Sequence, residues 1–282
     1  MQFSTPIDNP SLSVQITPRD VLLFVGSCFA ESVSRRLEAD CFRVIANPFG
    51  VMYNPVSVFH TIERLLHSDA HQIPSRPSVV FLTFGTNHVY RLKSSGEIVD
   101  NCQKRPHNLF VEEQLSVEMC ADVMADTIAL LREWNPDMRI VMTVSPIRYQ
   151  KYGFHDSQLS KATLLLSVDK VVKSNSAHVE YFPAYEIMND ELRDYRYYAT
   201  DMIHPSEQAV DYIYENLLRS VLSPDAVSFV EEWQPLKRAL SHRPFDADSE
   251  AYRMFIGQTL DKVRQFAKKY DLDYNKLTNN KP

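Results

Sequence analysis

Glycine is scarce in this chain. There are six in 282 residues, where average usage near 7% would give about twenty. Proline outnumbers it, 16 to 6. No two glycines are spaced for a G-x-G-x-x-G fingerprint or a Walker A loop, so phosphate-cradling motifs of that kind are excluded. So are collagen-like and Gly-rich low-complexity chains. Cysteine is also sparse, at 28, 41, 102 and 120, with no C-x-x-C pair. Neither a zinc cage nor a disulfide framework is expected, and a reducing, cytoplasmic setting fits best. No metal or cofactor is called for. Positive charge is in deficit, 30 Lys and Arg against 36 Asp and Glu, for a net −6. That disfavours nucleic acid as a partner. The end runs the other way: residues 261–282 hold six Lys or Arg and three Asp, which reads as a solvated helix face. Long apolar runs are missing too. The longest uncharged stretch, Val44–Ile62, carries Asn47, Pro48, Gly50, Asn54, Pro55 and His60, so no membrane partner is expected. The first residues show no basic stretch followed by an apolar one, so no export signal is expected.

What is present is ordinary globular material, 44% apolar and 23% charged, enough for a sizeable core. Val21–Val25 is a short apolar run that reads as a buried strand and ends at Gly26-Ser27-Cys28. Phe29, Val33 and Leu37 then recur at helical spacing. Further strands are expected at Phe42–Ala46, Val79–Phe84, Arg139–Val144 and His178–Phe182. Helices are expected at Val56–Leu66, on the stripe Val117, Cys120, Met124, Ile128 and Leu131, at Leu159–Val172, after Pro205 as a first helical residue, and over 251–270. Five strands alternating with helices predict an α/β fold, a three-layer α/β/α sandwich around a five-stranded, mainly parallel sheet. Residues 1–222 read as the main domain. Residues 223–282 read as a mostly helical extension packed on it, with Ser223–Asp248 wrapping its surface and the tail from Asp271 frayed.

In such a sheet, sites lie at the carboxyl ends of the strands. Ser27 stands at the first strand-to-helix turn, where backbone N–H groups can hold an oxyanion. Its plainer reading is a helix cap. Gly50, in the loop Asn47–Asn54, reads as a turn glycine. Asn87, after Gly85-Thr86, can offer an amide N–H. The most telling segment is Asp201-Met202-Ile203-His204-Pro205. A hydroxyl becomes a nucleophile when a base takes its proton, and a carboxylate three residues before a histidine can orient that base.

Gly26-Ser27-Cys28-Phe29-Ala30 resembles the signature of the GSCFA domain family, a group placed among SGNH/GDSL-like hydrolases with a flavodoxin-like fold. The likeness continues in Asn47-Pro48-Phe49-Gly50, Thr83-Phe84-Gly85-Thr86, Asn101-Cys102, Ser145-Pro146-Ile147-Arg148, Ser160-Lys161-Ala162 and Tyr181–Pro205. It covers roughly residues 20–220. The resemblance implies a catalytic Ser27, Asp201 and His204. It also implies an oxyanion hole from the N–H groups of Ser27 and Gly50 and the side-chain amide of Asn87. The expected activity is a serine esterase that removes small O-acyl groups, with a carbohydrate ester or other small ester as substrate.

The chain departs from the family pattern in places. Gln103 and Tyr149 stand where the family commonly has His, and Asn87 where it commonly has Ala. Two alternatives therefore stay open: an acyltransferase using the same site, or a non-catalytic ligand-binding protein on a hydrolase fold. Cys28 is a rival nucleophile, though a cysteine beside a helix start is usually a packed residue. Asn47, Asn101, Arg148, Lys161 and Tyr198 are further candidates for substrate contact. Lys161 reads more simply as a solvated lysine. Tyr195, Tyr197 and Tyr198 read equally as a cleft wall or as packing.

Overall fold

A computed structural model describes residues 5–8, 10–67, 76–246 and 248–279. In chain order the elements are β1 (Val21–Gly26), α1 (Cys28–Ala39), β2 (Arg43–Ala46), α2 (Pro55–His67), β3 (Val79–Phe84), β4 (His88–Leu92), β5 (Ile98–Val99) and β6 (Phe110–Gln114). Then come α3 (Val117–Trp134), β7 (Arg139–Val144), α4 (Gly153–Ser174), β8 (Val179–Tyr181), α5 (Ala184–Glu186) and α6 (Glu207–Val221). The chain continues through α7 (Pro224–Leu240), α8 (Glu250–Tyr270) and α9 (Tyr274–Asn279).

The main sheet has the order β2-β1-β3-β7-β8, with every pair parallel. Its central strands are apolar at nearly every position because helices cover both faces. Alternate residues serve opposite cores. Leu22, Phe24, Val79 and Phe81 join α1, α6, α7 and α8 on one face. Leu23, Val25, Val80 and Leu82 join α2, α3 and α4 on the other. Phe24 and Phe81 stack across β1 and β3 with centroids 4.4 Å apart. Burying a phenylalanine this fully contributes about 1.5–3 kcal/mol. The fold is the expected three-layer α/β/α sandwich.

A second, antiparallel sheet, β5-β4-β6, was not anticipated from the sequence. Its strands are two to five residues long and mostly half-exposed, so their apolar alternation is weak. One further expectation is corrected. Pro205 is not the first residue of a helix: Ser206 caps α6 through Ala209 N–H at 3.2 Å, and Pro205 pairs with Tyr198 in an isolated antiparallel bridge. Most of Ser223–Asp248 is helical and lies against the main domain. Ser223 caps a 17-residue helix with Pro224 in its first turn, and Pro235 is accommodated inside it. That helix is fastened to α1 by its end: Trp233 Nε1 donates to Ala39 O at 2.8 Å, and Lys237 meets the buried Asp40 at 2.7 Å. No helix among the described residues is long and apolar enough to cross a membrane.

Gly26 shows why one of the few glycines is where it is. Its φ is +150°, and a Cβ there would collide with the Thr83 carbonyl oxygen. β1 can turn tightly beside β3 only without a side chain.

Candidate active site

Four segments converge at the carboxyl ends of the parallel strands. They are Gly26-Ser27-Cys28 after β1, Asn47–Asn54 after β2, Gly85-Thr86-Asn87 after β3 and Ser145–Tyr149 after β7. The loop carrying Asp201 and His204 closes over them. Arg148 fastens that loop with two bonds, from its N–H to Ile203 O at 3.1 Å and from Nη1 to Met202 O at 2.9 Å. Ala199 N–H and Ser206 N–H complete the clasp, to His204 O and Tyr197 O. Met202 takes φ +59° to make the turn.

Asp201 and His204 come together as their spacing suggests. His204 Nδ1 lies 2.7 Å from Asp201 Oδ2. A carboxylate only accepts, so Nδ1 carries the hydrogen and Nε2 presents its lone pair. The other carboxylate oxygen accepts the N–H groups of Ile203 and His204 at 2.9 and 3.0 Å. The His204 N–H, the Ile203 N–H and then the imidazole hold the Asp201 carboxyl down at about 2.

The group that meets His204 Nε2 is the Cys28 thiol, at 3.4 Å. The structure does not bring Ser27 to His204. Ser27 is fully buried. Its hydroxyl accepts from Phe29 N–H at 3.3 Å as the cap of α1, and lies 3.0 Å from Ser145 Oγ. The physical reason is local. A capping side chain folds back toward the helix, whereas the next residue, first in the helix, points outward. Cys28 is half-exposed. Burial pushes its thiol up, while the N–H groups of Cys28 and Phe29 and the charge on Lys161 pull it down and Glu31 pushes it up.

The other expected oxyanion donors are spent elsewhere. Gly50 N–H closes a turn onto Asn47 O at 2.8 Å, with φ +93°. Asn87 Nδ2 donates to Leu115 O at 2.8 Å, tying the start of β4 to the end of β6. Asn47 is structural as well. Its side-chain oxygen accepts Gly26 N–H at 2.8 Å, which holds the turn before Cys28. Asn101 turns its own loop by accepting Gln103 N–H at 2.7 Å.

Lys161 is buried, not solvated as expected. Nζ donates to Gly85 O at 2.6 Å and Ser145 O at 2.7 Å, and sits 4.9 Å from the Tyr149 ring centroid. Burial brings its ammonium down to about 7. Tyr149 turns its hydroxyl inward against Gly85, where a Cβ would collide with it, and that hydroxyl has no partner among the described residues. Tyr198 lies on the rim. The Arg148 guanidinium packs 4.1 Å over Phe154, 5.3 Å over Tyr198 and 5.9 Å over Tyr195. Among the described residues, no three of His, Cys, Asp or Glu stand together as a metal cage.

Sequence reasoning named Tyr149 only as a departure from the family pattern, did not single out Ser145, and held Cys28 only as a rival to Ser27, though two signals favoured Cys28. One available signal was the triplet itself: set against Gly-Asp-Ser, Gly26-Ser27-Cys28 puts the cysteine in the third place. Another was the helix stripe. Phe29, Val33 and Leu37 face the core, which leaves Cys28 and Ser32 on the flank.

The GSCFA family model matches residues 21–73 and 67–217. The chain belongs to the GSCFA family. A model for the C-terminal domain of GSCFA domain proteins matches residues 233–279, across α7, α8 and α9 of this GSCFA chain. No curated protein matches it. Similar solved structures include a family 2 carbohydrate esterase with a carbohydrate-binding domain from Myceliophthora fergusii. It is 13% identical with a TM-score of 0.47, covering 78% of this chain and 69% of that one. A family 3 carbohydrate esterase from Clostridium thermocellum is 13% identical with a TM-score of 0.41, covering 76% and 98%. An acetyl xylan esterase from the rumen bacterium Butyrivibrio proteoclasticus is 10% identical with a TM-score of 0.41, covering 73% and 64%. Likenesses this distant leave the chemistry to be read from the site itself.

Proposed function

We propose that this GSCFA protein is an acyl-ester hydrolase whose nucleophile is Cys28, with His204 as its base and Asp201 as the group that orients the base. The observation that carries this reading is the unbroken line from Cys28 Sγ to His204 Nε2 at 3.4 Å and from His204 Nδ1 to Asp201 at 2.7 Å. The Cys28 proton passes to Nε2 as the sulfur attacks the ester carbonyl. The tetrahedral oxyanion forms at the start of α1, where the N–H groups of Cys28 and Phe29 favour negative charge beside the sulfur and the helix dipole does the same. The C–O bond then breaks, and the alcohol leaves with the proton from Nε2. Water attacks the thioester with His204 again as base, and the acid and the free thiol are released.

The His204 and Asp201 side chains are nearly half exposed, so water reaches the thioester directly. That favours hydrolysis over transfer to a second alcohol. The rim supports a small O-acyl group on a carbohydrate as substrate. Tyr53, Phe154 and Tyr195 expose large parts of their rings, and aromatic faces with polar tips suit sugar rings.

The test is hydrolysis of p-nitrophenyl acetate by three proteins. Cys28→Ala lowers kcat/KM by about 10,000-fold or more. Ser27→Ala stays within a few-fold of wild type but loses about 1 kcal/mol of stability with its helix cap. An active Cys28→Ala protein beside an inactive Ser27→Ala protein rejects the reading.

A further inference from the structure

Lysine is seldom buried, because an ammonium without water must find acceptors for its hydrogens. Lys161 is 2% exposed. Its two acceptors are the backbone oxygens of Gly85 and Ser145, the residues immediately after β3 and β7. Its remaining hydrogen faces the Tyr149 ring. Among the described residues no carboxylate pairs with it, so its charge is carried by these carbonyls alone. Ser145 is also the residue whose hydroxyl meets Ser27 Oγ at 3.0 Å, and Ser27 precedes the nucleophile. A chain of contacts therefore runs from the buried ammonium through Ser145 and Ser27 to the turn that presents Cys28.

Resting on the reading of Cys28 as nucleophile, we propose that Lys161 is a positioning residue of this site. It clamps the ends of β3 and β7 beneath the Cys28 turn and puts a buried positive charge behind the thiol, favouring its thiolate. The groups acting on the sulfur are few. Glu31 on α1 opposes the thiolate. The N–H groups of Cys28 and Phe29 favour it. Tyr53 and Tyr149 stand close enough to feel its charge but are neutral near pH 7, since burial raises both phenols. His204, paired with Asp201, faces it from the loop. Among the described residues, Lys161 is the buried cation under the site, held by backbone carbonyls and not by a carboxylate.

The experiment is the rate of Cys28 alkylation by iodoacetamide from pH 5.5 to 9.5, read by mass spectrometry on the Cys28 peptide. It is run on wild type, Lys161→Met and Lys161→Gln. The glutamine amide can still donate to a strand-end carbonyl but carries no charge, so it separates the clamp from the charge. Both variants are expected to alkylate about threefold more slowly than wild type at pH 6, where Lys161 keeps its proton, the change that about a half-unit rise in thiol pKa produces. A Lys161→Gln profile that overlays wild type, with lowered thermal stability alone, overturns the proposal. So does a shift in Lys161→Met that Lys161→Gln does not share. Should neither variant fold, wild type decides. Below the thiol's own plateau, its log rate rises by less than one decade per pH unit over the interval in which Lys161 gives up its proton, and a full decade per unit throughout that limb rejects the proposal. Failure of the underlying reading looks different: wild-type Cys28 would react no differently from a cysteine in a peptide, in all three proteins.

Discussion

Two sides of one turn differ sharply in this molecule. On the open side, Cys28 is half-exposed and the side chains of His204 and Asp201 are nearly half exposed. On the closed side, Ser27, Ser145, Gly85, Lys161 and Tyr149 form a packed polar cluster in which the hydroxyls and the ammonium bond mostly to one another and to strand-end carbonyls. Ser27 and Cys28 are adjacent in sequence, yet they belong to different sides. A hydroxyl already satisfied by the protein is poorly placed to attack a substrate, whereas the Cys28 thiol, though burial pushes it up, has a base beside it to take its proton. The comparison teaches that the direction a side chain takes from the first turn of a helix decides its role. Its chemical reputation does not.

The largest effect that sharpens this contrast lies on the open side. Asp201→Asn leaves the loop geometry nearly unchanged but lets His204 adopt the wrong tautomer. We expect kcat/KM for p-nitrophenyl acetate to fall by about 100- to 10,000-fold. The Asp201 carboxyl is held down at about 2, so its charge is present above that value and is lost only as pH falls through it. The wild-type pair therefore survives mildly acid conditions, and any loss of rate above pH 3 belongs to another group. An unchanged rate in Asp201→Asn means that His204 is not oriented by it, and the open side is then not a catalytic relay.

A middle-sized effect separates the closed side. Lys161 titrates near 7 when folded, against 10.5 for an ordinary lysine. Between those values the unfolded chain binds more protons than the folded one, so stability rises with pH there. Below about pH 7 the full cost of burying the cation is present. At about 1.4 kcal/mol per pH unit, wild type gains roughly 2 kcal/mol between pH 7 and 9 relative to Lys161→Met in urea denaturation. Parallel stability curves for the two proteins would mean that the closed side holds no titrating lysine.

Much of the frame was legible beforehand because its signals are local and repeated. Val21–Val25 and Val79–Phe84 are continuous apolar runs, and the stripe through Cys120, Met124 and Ile128 keeps one helical face. Asp201 and His204 were legible because three residues of chain bring them together without help from the fold. Ser145 and Tyr149 were not, since only the parallel pairing of β3 with β7 sets them beside Gly85 and Lys161. Lys161 itself misled for the same reason: a lysine on a polar stretch of helix looks solvated until two strand ends are laid over it. The small antiparallel sheet left no clear trace because its strands are short and half-exposed.

The smallest effect tests how tightly the closed side is packed. The Tyr149 hydroxyl is buried without a partner among the described residues and pressed against Gly85. Its ring, not its oxygen, faces the Lys161 ammonium, and a phenylalanine ring would face it equally. Tyr149→Phe therefore breaks no hydrogen bond and removes a desolvated polar atom, so stability stays level or rises by about 1 kcal/mol. It also opens space beside Gly85. Gly85→Ala alone should destabilise strongly, because its Cβ would meet the phenol oxygen, and the double variant should recover part of that loss. Additive losses across this double-mutant cycle would show that the two residues do not touch. A drop of more than 1 kcal/mol in Tyr149→Phe alone would give the hydroxyl a partner, and the closed side would then share a bound water or ligand with the open one.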